Sequence, residues 1–300
     1  MIIDETECYM YLGALISNSS IHSQIEAQLQ QKYPHQVKFS SFLTKNNDCP
    51  FNIKKTVWDS AFKSAIYYGC ETWLTRNIQV IERPYIKSLK HLLGVRQTTC
   101  TDTILVELGI GDAKSMVKDR QMNFLAKLDK RTTRSYIHNV IDLAIQKRTT
   151  MGTQIQSLRN NPRKHTEQYL STLKDKLRTA TSTKRQEYTT MNPTLQPCPL
   201  YKQQDIGEIN RVACTRLRLS SHNLRIETGR WARIPRDLRQ CQCKEDIQTE
   251  EHVLLRCPLS IHLRTNIEQY NDISTLFTSM DYKTTSILCN KVLKLYENLN

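Results

Sequence analysis

The sequence predicts a mainly α chain, with one strand or two at the N terminus, a helical bundle after them and a smaller Cys/His-bearing unit at the C-terminal end. Three observations predict it. Apolar residues recur at helical spacing in successive segments between residues 53 and 130. Only 8 Gly and 9 Pro occur in 300 residues, too few for a turn-dense all-β design. Cysteine is scattered singly through apolar runs except for one trio, Cys241, Cys243 and Cys257, around His252. A hydrophobic content of 39% is below the globular average but sufficient for a core with polar stretches around it.

The first apolar segment, Cys8 to Ile16, ends at Ser17-Asn18-Ser19-Ser20 and reads as one strand, or two broken at Gly13. A lone strand can satisfy neither its faces nor its edges, so an N-terminal portion carrying the rest of a sheet is expected to be missing. From Ile53 the period becomes helical: Val57, Trp58, Ala61, Phe62, Ala65 and Ile66 form one stripe, and Gly69 closes the helix after Tyr67-Tyr68. Pro84 is expected to open a second helix that places Tyr85, Ile86, Leu89, Leu92 and Leu93 on one side and stops at Gly94. A third, from about Ala113, turns Met116, Val117, Phe124, Leu125 and Leu128 inward. These stripes are most simply the core of a small bundle.

Residues 144–190 hold ten Lys or Arg against three Asp or Glu. One short helix around Tyr169, Leu170, Leu173 and Leu177 fits there, and the Pro-rich stretch Met191–Pro199 reads as a linker. Beyond it, Ile206, Ile209, Val212, Ala213 and Leu217 mark a helix with Arg211, Arg216 and Arg218 on its other side. Arg225, Arg230, Arg233, Arg236 and Arg239 follow, interleaved with Trp231. A last helix over roughly 284–299 turns Ile287, Leu288, Val292, Leu293 and Tyr296 inward.

The formal charge of +14 favours polyanions, chiefly nucleic acid or anionic lipid. The charge clusters: 206–240 alone carries eight arginines against three carboxylates, and arginine suits bidentate phosphate contacts while Trp231 offers a stacking face. The competing reading is a solvated basic face with Trp231 in the core. Cys241-Gln-Cys243-x8-His252-x4-Cys257 supplies four soft or borderline donors, the set a tetrahedral structural zinc takes, although the Cys-x-Cys pair is one residue tighter than usual. On spacing alone, zinc competes with surface cysteines beside an ordinary histidine.

Other chemistry is not visible. No phosphate-binding glycine loop, nucleophile elbow or H-E-x-x-H helix occurs, and no Asp-Asp pair, so no catalytic residues are assigned. The other histidines (22, 35, 91, 138, 165, 222 and 262) have no partner nearby in the sequence. No run of 18 apolar residues occurs, and Asp4, Glu5 and Glu7 follow Met1 where a leader would carry basic residues. Neither a membrane span nor a secretory leader is expected, and the isolated cysteines suit an intracellular chain, nuclear or cytoplasmic.

In order, Tyr11-Leu12-Gly13, Ile66-Tyr67-Tyr68-Gly69-Cys70-Glu71-Thr72-Trp73, Leu92-Leu93-Gly94, Glu107-Leu108-Gly109, Leu217-Arg218-Leu219, Glu227-Thr228-Gly229-Arg230-Trp231 and the Cys/His cluster behind Thr249-Glu250-Glu251 resemble the C-terminal portion of non-LTR (LINE-type) retrotransposon reverse transcriptases. The resemblance implies that 1–40 is a palm-edge remnant with Tyr11, Leu12 and Gly13 in a primer-grip-like hairpin, and that 41–130 is a thumb-like helical bundle. It further implies that 131–200 is a basic connector and 201–300 a nucleic-acid-binding unit with a zinc-knuckle-like motif. Zinc is the implied cofactor, Mg²⁺ only alongside an upstream palm, and RNA or DNA the implied partner, with no membrane and no small-molecule substrate. Pro84 departs from the family by interrupting a thumb helix that usually runs through. The family's fingers, palm and any endonuclease would lie upstream, so a truncated or degenerate copy, inactive alone as a polymerase, is expected. The alternatives are an inert remnant, or the tail of a longer RNA-directed DNA polymerase.

Overall fold

The computed structural model describes residues 8–11, 14–17, 21–75, 78–131, 133, 135–265, 267, 269–279 and 281–299. Within them the chain is mainly helical. Strands β1 (Cys8–Tyr11) and β2 (Ala14–Ser17) pair antiparallel, Cys8 opposite Ser17 and Tyr11 opposite Ala14. Leu12 and Gly13 of the expected primer-grip-like turn lie outside the described residues. Helices α1 (Ile21–Gln31), α2 (Tyr33–Lys45), α3 (Phe51–Val57), α4 (Ser64–Ile66) and α5 (Gln79–Leu93) follow. Next come α6 (Thr101–Leu108), α7 (Ala113–Asp129), α8 (Tyr136–Gln146), α9 (Thr150–Asn160), α10 (His165–Arg178) and α11 (Thr183–Met191). The C-terminal region holds α12 (Glu208–Arg218), α13 (Arg225–Trp231), α14 (Ile273–Ser279) and α15 (Tyr282–Leu299). No described helix is long and apolar enough to cross a membrane.

The chain divides into two compact units that interleave along the sequence. Residues 1–42, 57–88 and 110–172 form the first, and residues 43–56, 89–109 and 173–300 the second. The stretch 41–130 thus contributes to both.

In the first unit, Trp58, Phe62 and Ile66 are buried on one stripe, as their spacing predicts. The backbone that carries them is a π-helical stretch over Trp58–Lys63 followed by α4. Trp58 packs on Phe62 and Tyr85, with ring centroids 6.4 and 5.8 Å away, and its Nε1 donates to Ser88 Oγ at 2.8 Å. Burying one such ring stabilises the fold by about 3 kcal/mol. On α7 the buried line is Val117, Gln121, Leu125 and Leu128, with Phe124 and Met116 only half-buried. The polar member, Gln121, is there because its Nε2 donates to the Cys70 and Trp73 carbonyls at 3.0 and 2.7 Å, satisfying a buried turn. Helices α8 and α9 pack so closely that a Cβ on Gly152 would sit 2.1 Å from the Ala144 carbonyl oxygen.

Three expectations need correction. Pro84 lies inside α5, which begins at Gln79, so it opens no helix; its missing N–H removes one i→i−4 bond near the start of the helix. The basic stretch 144–190 is almost wholly helical, in α9, α10 and α11 and the end of α8, and buries Ile155, Leu158, Leu173, Leu177 and Tyr188. On α12 the pattern puts Ile209 inward and Arg211 and Arg218 outward, and the structure reverses all three. Ile209 is 59% exposed, while both arginines are 2% exposed.

Buried carboxylates cause that reversal in the second unit. Glu107, fully buried on α6, accepts from Arg218 Nε at 2.6 Å and Nη2 at 3.0 Å, and from the Tyr188 hydroxyl at 2.9 Å. Glu208 receives Arg211 Nε at 2.7 Å and Lys54 Nζ at 2.8 Å. Once both charges are paired, the helix is free to bury Cys214 and Leu217 in one core with Leu288, Cys289, Val292 and Tyr296 of α15.

Candidate metal centre

The four predicted ligands converge. One donor atom each from Cys241, Cys243, His252 and Cys257 lies within 4.8 Å of the others, and the group could hold a metal ion. Two local devices bring them together. Residues 240–247 fold back on themselves through the antiparallel bridge Gln240–Ile247, with Cys241 N donating to Asp246 O at 2.8 Å. Lys244 adopts a left-handed conformation (φ 64°) in that reversal, which lets two cysteines only two positions apart face the same side. The second device is the π-helical turn His252–Arg256, closed by Cys257 N donating to His252 O at 2.7 Å. That i→i+5 bond spans the same interval as the His-x4-Cys spacing, so one wide turn sets both side chains side by side. Thr249 Oγ1 accepts from His252 N at 3.1 Å, and Pro258, which has no N–H, starts a separate 3₁₀ segment after the last ligand.

The distances suit a tetrahedron. Cys241 Sγ and Cys257 Sγ are 3.6 Å apart, and two thiolates about 2.3 Å from one zinc would be about 3.8 Å apart. Cys243 Sγ lies 3.2 Å from His252 Nε2, somewhat inside the roughly 3.5 Å edge of such a site. The other ring nitrogen, Nδ1, lies 3.9 Å from Asp246 Oδ2, near enough for Coulombic attraction but beyond hydrogen-bond reach. Burial pushes the Cys241 thiol up to about 11. Cys243 moves the other way: burial opposes ionisation, but hydrogen bonds from the Glu245 backbone and the neighbouring thiols outweigh it. Burial also lowers His252, which favours the neutral imidazole that a metal takes as a ligand. Cys241 and Cys257 belong to the second unit's core, so a bound metal would be tied into its packing.

The predicted arginine series separates into distinct roles. Arg211 and Arg218 are core ion-pair partners and leave the candidate surface. Arg239 is structural as well, donating to Ile234 O from Nε (2.9 Å) and Nη2 (2.7 Å) and to Ile226 O from Nη1 (3.0 Å). Arg230 pairs with Glu227 and with Glu187 at 3.3 Å, and Arg236 reaches Glu187 at 3.4 Å. Arg216, Arg225 and Arg233 are exposed, Arg225 donating to Gln240 O at 3.0 Å. Trp231 is 47% exposed rather than a core residue.

Two features have no counterpart in the sequence reading. His222 is buried, its Nε2 hydrogen-bonded to Glu250 at 2.8 Å across 28 positions while Leu224 N donates to its Nδ1 at 3.3 Å. Glu187, Glu227 and Glu250 bring their carboxylates within 4.8 Å of one another. That acidic group is compensated by Arg230, by Arg236 and by Lys184, whose Nζ is 2.5 Å from Glu227 Oε2. No local spacing signals either cluster. Comparison with family models, curated proteins and solved structures returned no match.

Proposed function

We propose that this chain is a nucleic-acid-binding module of the non-LTR reverse transcriptase type, whose C-terminal region is stapled by one structural zinc. The convergence of Cys241, Cys243, His252 and Cys257 carries the reading. Three thiols and an imidazole select zinc over hard cations, and four protein donors leave no open coordination position for catalysis. The zinc-knuckle-like likeness and the thumb-like assignment of the preceding helices belong to this proposal, as does the resemblance itself. Exposed arginines Arg216, Arg225 and Arg233, half-exposed Trp231 and the +14 formal charge supply the footprint for RNA or DNA. The described cysteines outside β1 are free thiols, which fits an intracellular setting, nuclear or cytoplasmic. Catalysis is assigned to no residue, and Mg²⁺ would enter only beside a catalytic palm. The burial of Arg211 and Arg218 favours the alternative of a remnant without selected activity, because two expected phosphate contacts are spent on the core.

Two measurements test the proposal. Purified protein should carry about one zinc equivalent, and both Cys243→Ser and His252→Ala should lose it. Binding to an oligonucleotide should weaken linearly in log–log form as salt rises, because each phosphate contact releases counterions. Metal-free protein would refute the zinc assignment, and a flat salt response would refute the nucleic-acid assignment.

A further inference from the structure

The arginines that matter most for an anion are those the protein leaves without a counter-ion. Arg96, in the loop after α5, and Arg216, in the last turn of α12, line one pocket of about 280 Å³ in the second unit, together with Gly94, Ser221, His222 and Asn223. Neither arginine forms an ion pair among the described residues. Arg96 donates from Nη1 to the His222 carbonyl at 2.8 Å and from Nη2 to Asn223 Oδ1, and its backbone N–H donates to Ser221 Oγ at 2.9 Å. Among the described residues, Arg216 spends only its Nε, on the Gly94 carbonyl at 2.8 Å. Neutral acceptors therefore orient both guanidiniums, while most of their donors remain available for a planar, bidentate acceptor. The contrast with Arg211, Arg218, Arg230 and Arg236 is direct, since each of those faces a carboxylate.

Two like charges at one pocket repel. Partial burial, and then Arg216, hold Arg96 below the ordinary arginine range, with the Glu227 carboxylate acting against them from farther away. An anion held between the two guanidiniums would offset that repulsion. Glu297 is the one carboxylate lining the pocket; it is exposed on α15 and pairs with neither arginine among the described residues. The Arg96 guanidinium lies 4.0 Å from the centre of the Trp231 ring, covering one face of a half-exposed indole.

We infer that this pocket binds a phosphodiester of a single-stranded nucleic acid, clamped between Arg96 and Arg216, with the exposed part of Trp231 stacking on the adjoining base. The inference deepens the proposed function and rests on it. It also adds Arg96, which no sequence pattern selected. An unpaired strand suits the site better than a duplex because stacking needs an exposed base face.

The test uses the full chain and a fluorescein-labelled single strand of about 20 nucleotides, in RNA and DNA versions, with the matching duplex and inorganic phosphate as competitors. Arg216→Gln should weaken single-strand binding about tenfold and lower the log–log salt slope by about 0.7, one phosphate contact on a single strand. Arg96→Gln should do the same or more. Arg178→Gln, which removes an exposed arginine already paired with Asp175 at 2.8 Å, should change little. Trp58 and Trp73 are buried, so quenching of tryptophan emission by the unlabelled strand reports Trp231, and Trp231→Phe should abolish it. Arg216 is exposed, so a melting temperature within a few degrees of the parent keeps that variant interpretable if Arg96→Gln unfolds. Unchanged affinity and slope in a folded Arg216→Gln protein would overturn the pocket while leaving nucleic-acid binding intact. A wild-type chain that binds no nucleic acid overturns both. Displacement by inorganic phosphate at low millimolar concentration, with the duplex competing equally with the single strand, would make it a small-anion site and overturn the strand assignment.

Discussion

Removing Arg218 separates a core role from a surface role. In Arg218→Met the Glu107 carboxylate stays fully buried and keeps the Tyr188 hydroxyl at 2.9 Å, but it loses the Nε and Nη2 donors at 2.6 and 3.0 Å. Both partners are at or below 2% exposure, so solvent screening offers no discount. Breaking such a pair from one side costs about 3–5 kcal/mol, chiefly the uncompensated charge. At roughly 2–4 °C per kcal/mol for a unit of this size, the melting temperature should fall by about 6–20 °C. Urea titration followed by circular dichroism at pH 7 measures the cost directly. Adding Glu107→Gln to the same chain should recover about 2 kcal/mol, because a neutral amide needs no counter-ion. A cost below about 0.5 kcal/mol, accompanied by weaker oligonucleotide binding, would show Arg218 acting at the surface and refute the reasoning.

Three further outcomes are expected. Treating the protein with a strong chelator should lower its thermal stability and release the zinc, because Cys241 and Cys257 are core residues of the second unit; a chelated protein melting at the parent temperature would exclude a structural metal. Burial pushes the Glu82 carboxyl up to about 7 from an ordinary 4.5, while its Oε2 accepts from Ala113 N at 3.0 Å. Between those values the folded state binds the extra proton, so stability should fall as pH rises, by about 3 kcal/mol across the window. Glu82→Gln should flatten that slope, and an identical pH profile in the variant would contradict it. Gly152→Ala should destabilise the first unit by about 1–3 kcal/mol, since its Cβ meets the Ala144 backbone at 2.1 Å; a neutral result in urea titration would mean that α8 and α9 pack less closely.

Periodicity and spacing made much of this protein legible. The buried stripe of Trp58, Phe62 and Ile66 and the inward face of α15 follow from residues recurring at helical intervals. Gly69 and Gly94 were readable as helix stops, and their φ values of 73° and 69° are conformations that glycine adopts without a Cβ penalty. The Cys/His cluster was readable because its four candidate ligands lie within 17 residues, close enough for one hairpin and one π turn to gather them. The paired status of the arginines was not. Within the 206–240 series only the Glu208–Arg211 and Glu227–Arg230 pairs carry a local i,i+3 signal. Arg218 meets Glu107 from 111 positions away, and nothing local distinguishes it from Arg216, two positions earlier on the same helix and left facing a pocket.

By itself, then, the sequence determined the helical class, the four-ligand cluster and the basic character, since each arises from local pattern or composition. Only the tertiary structure decided which charges are free. Glu107 reaches Arg218 across 111 positions, Lys54 reaches Glu208 across 154, and Arg96 comes within 4.0 Å of Trp231 from a distant loop. A buried charge must find its partner wherever the fold brings one, and chain spacing carries no record of that meeting.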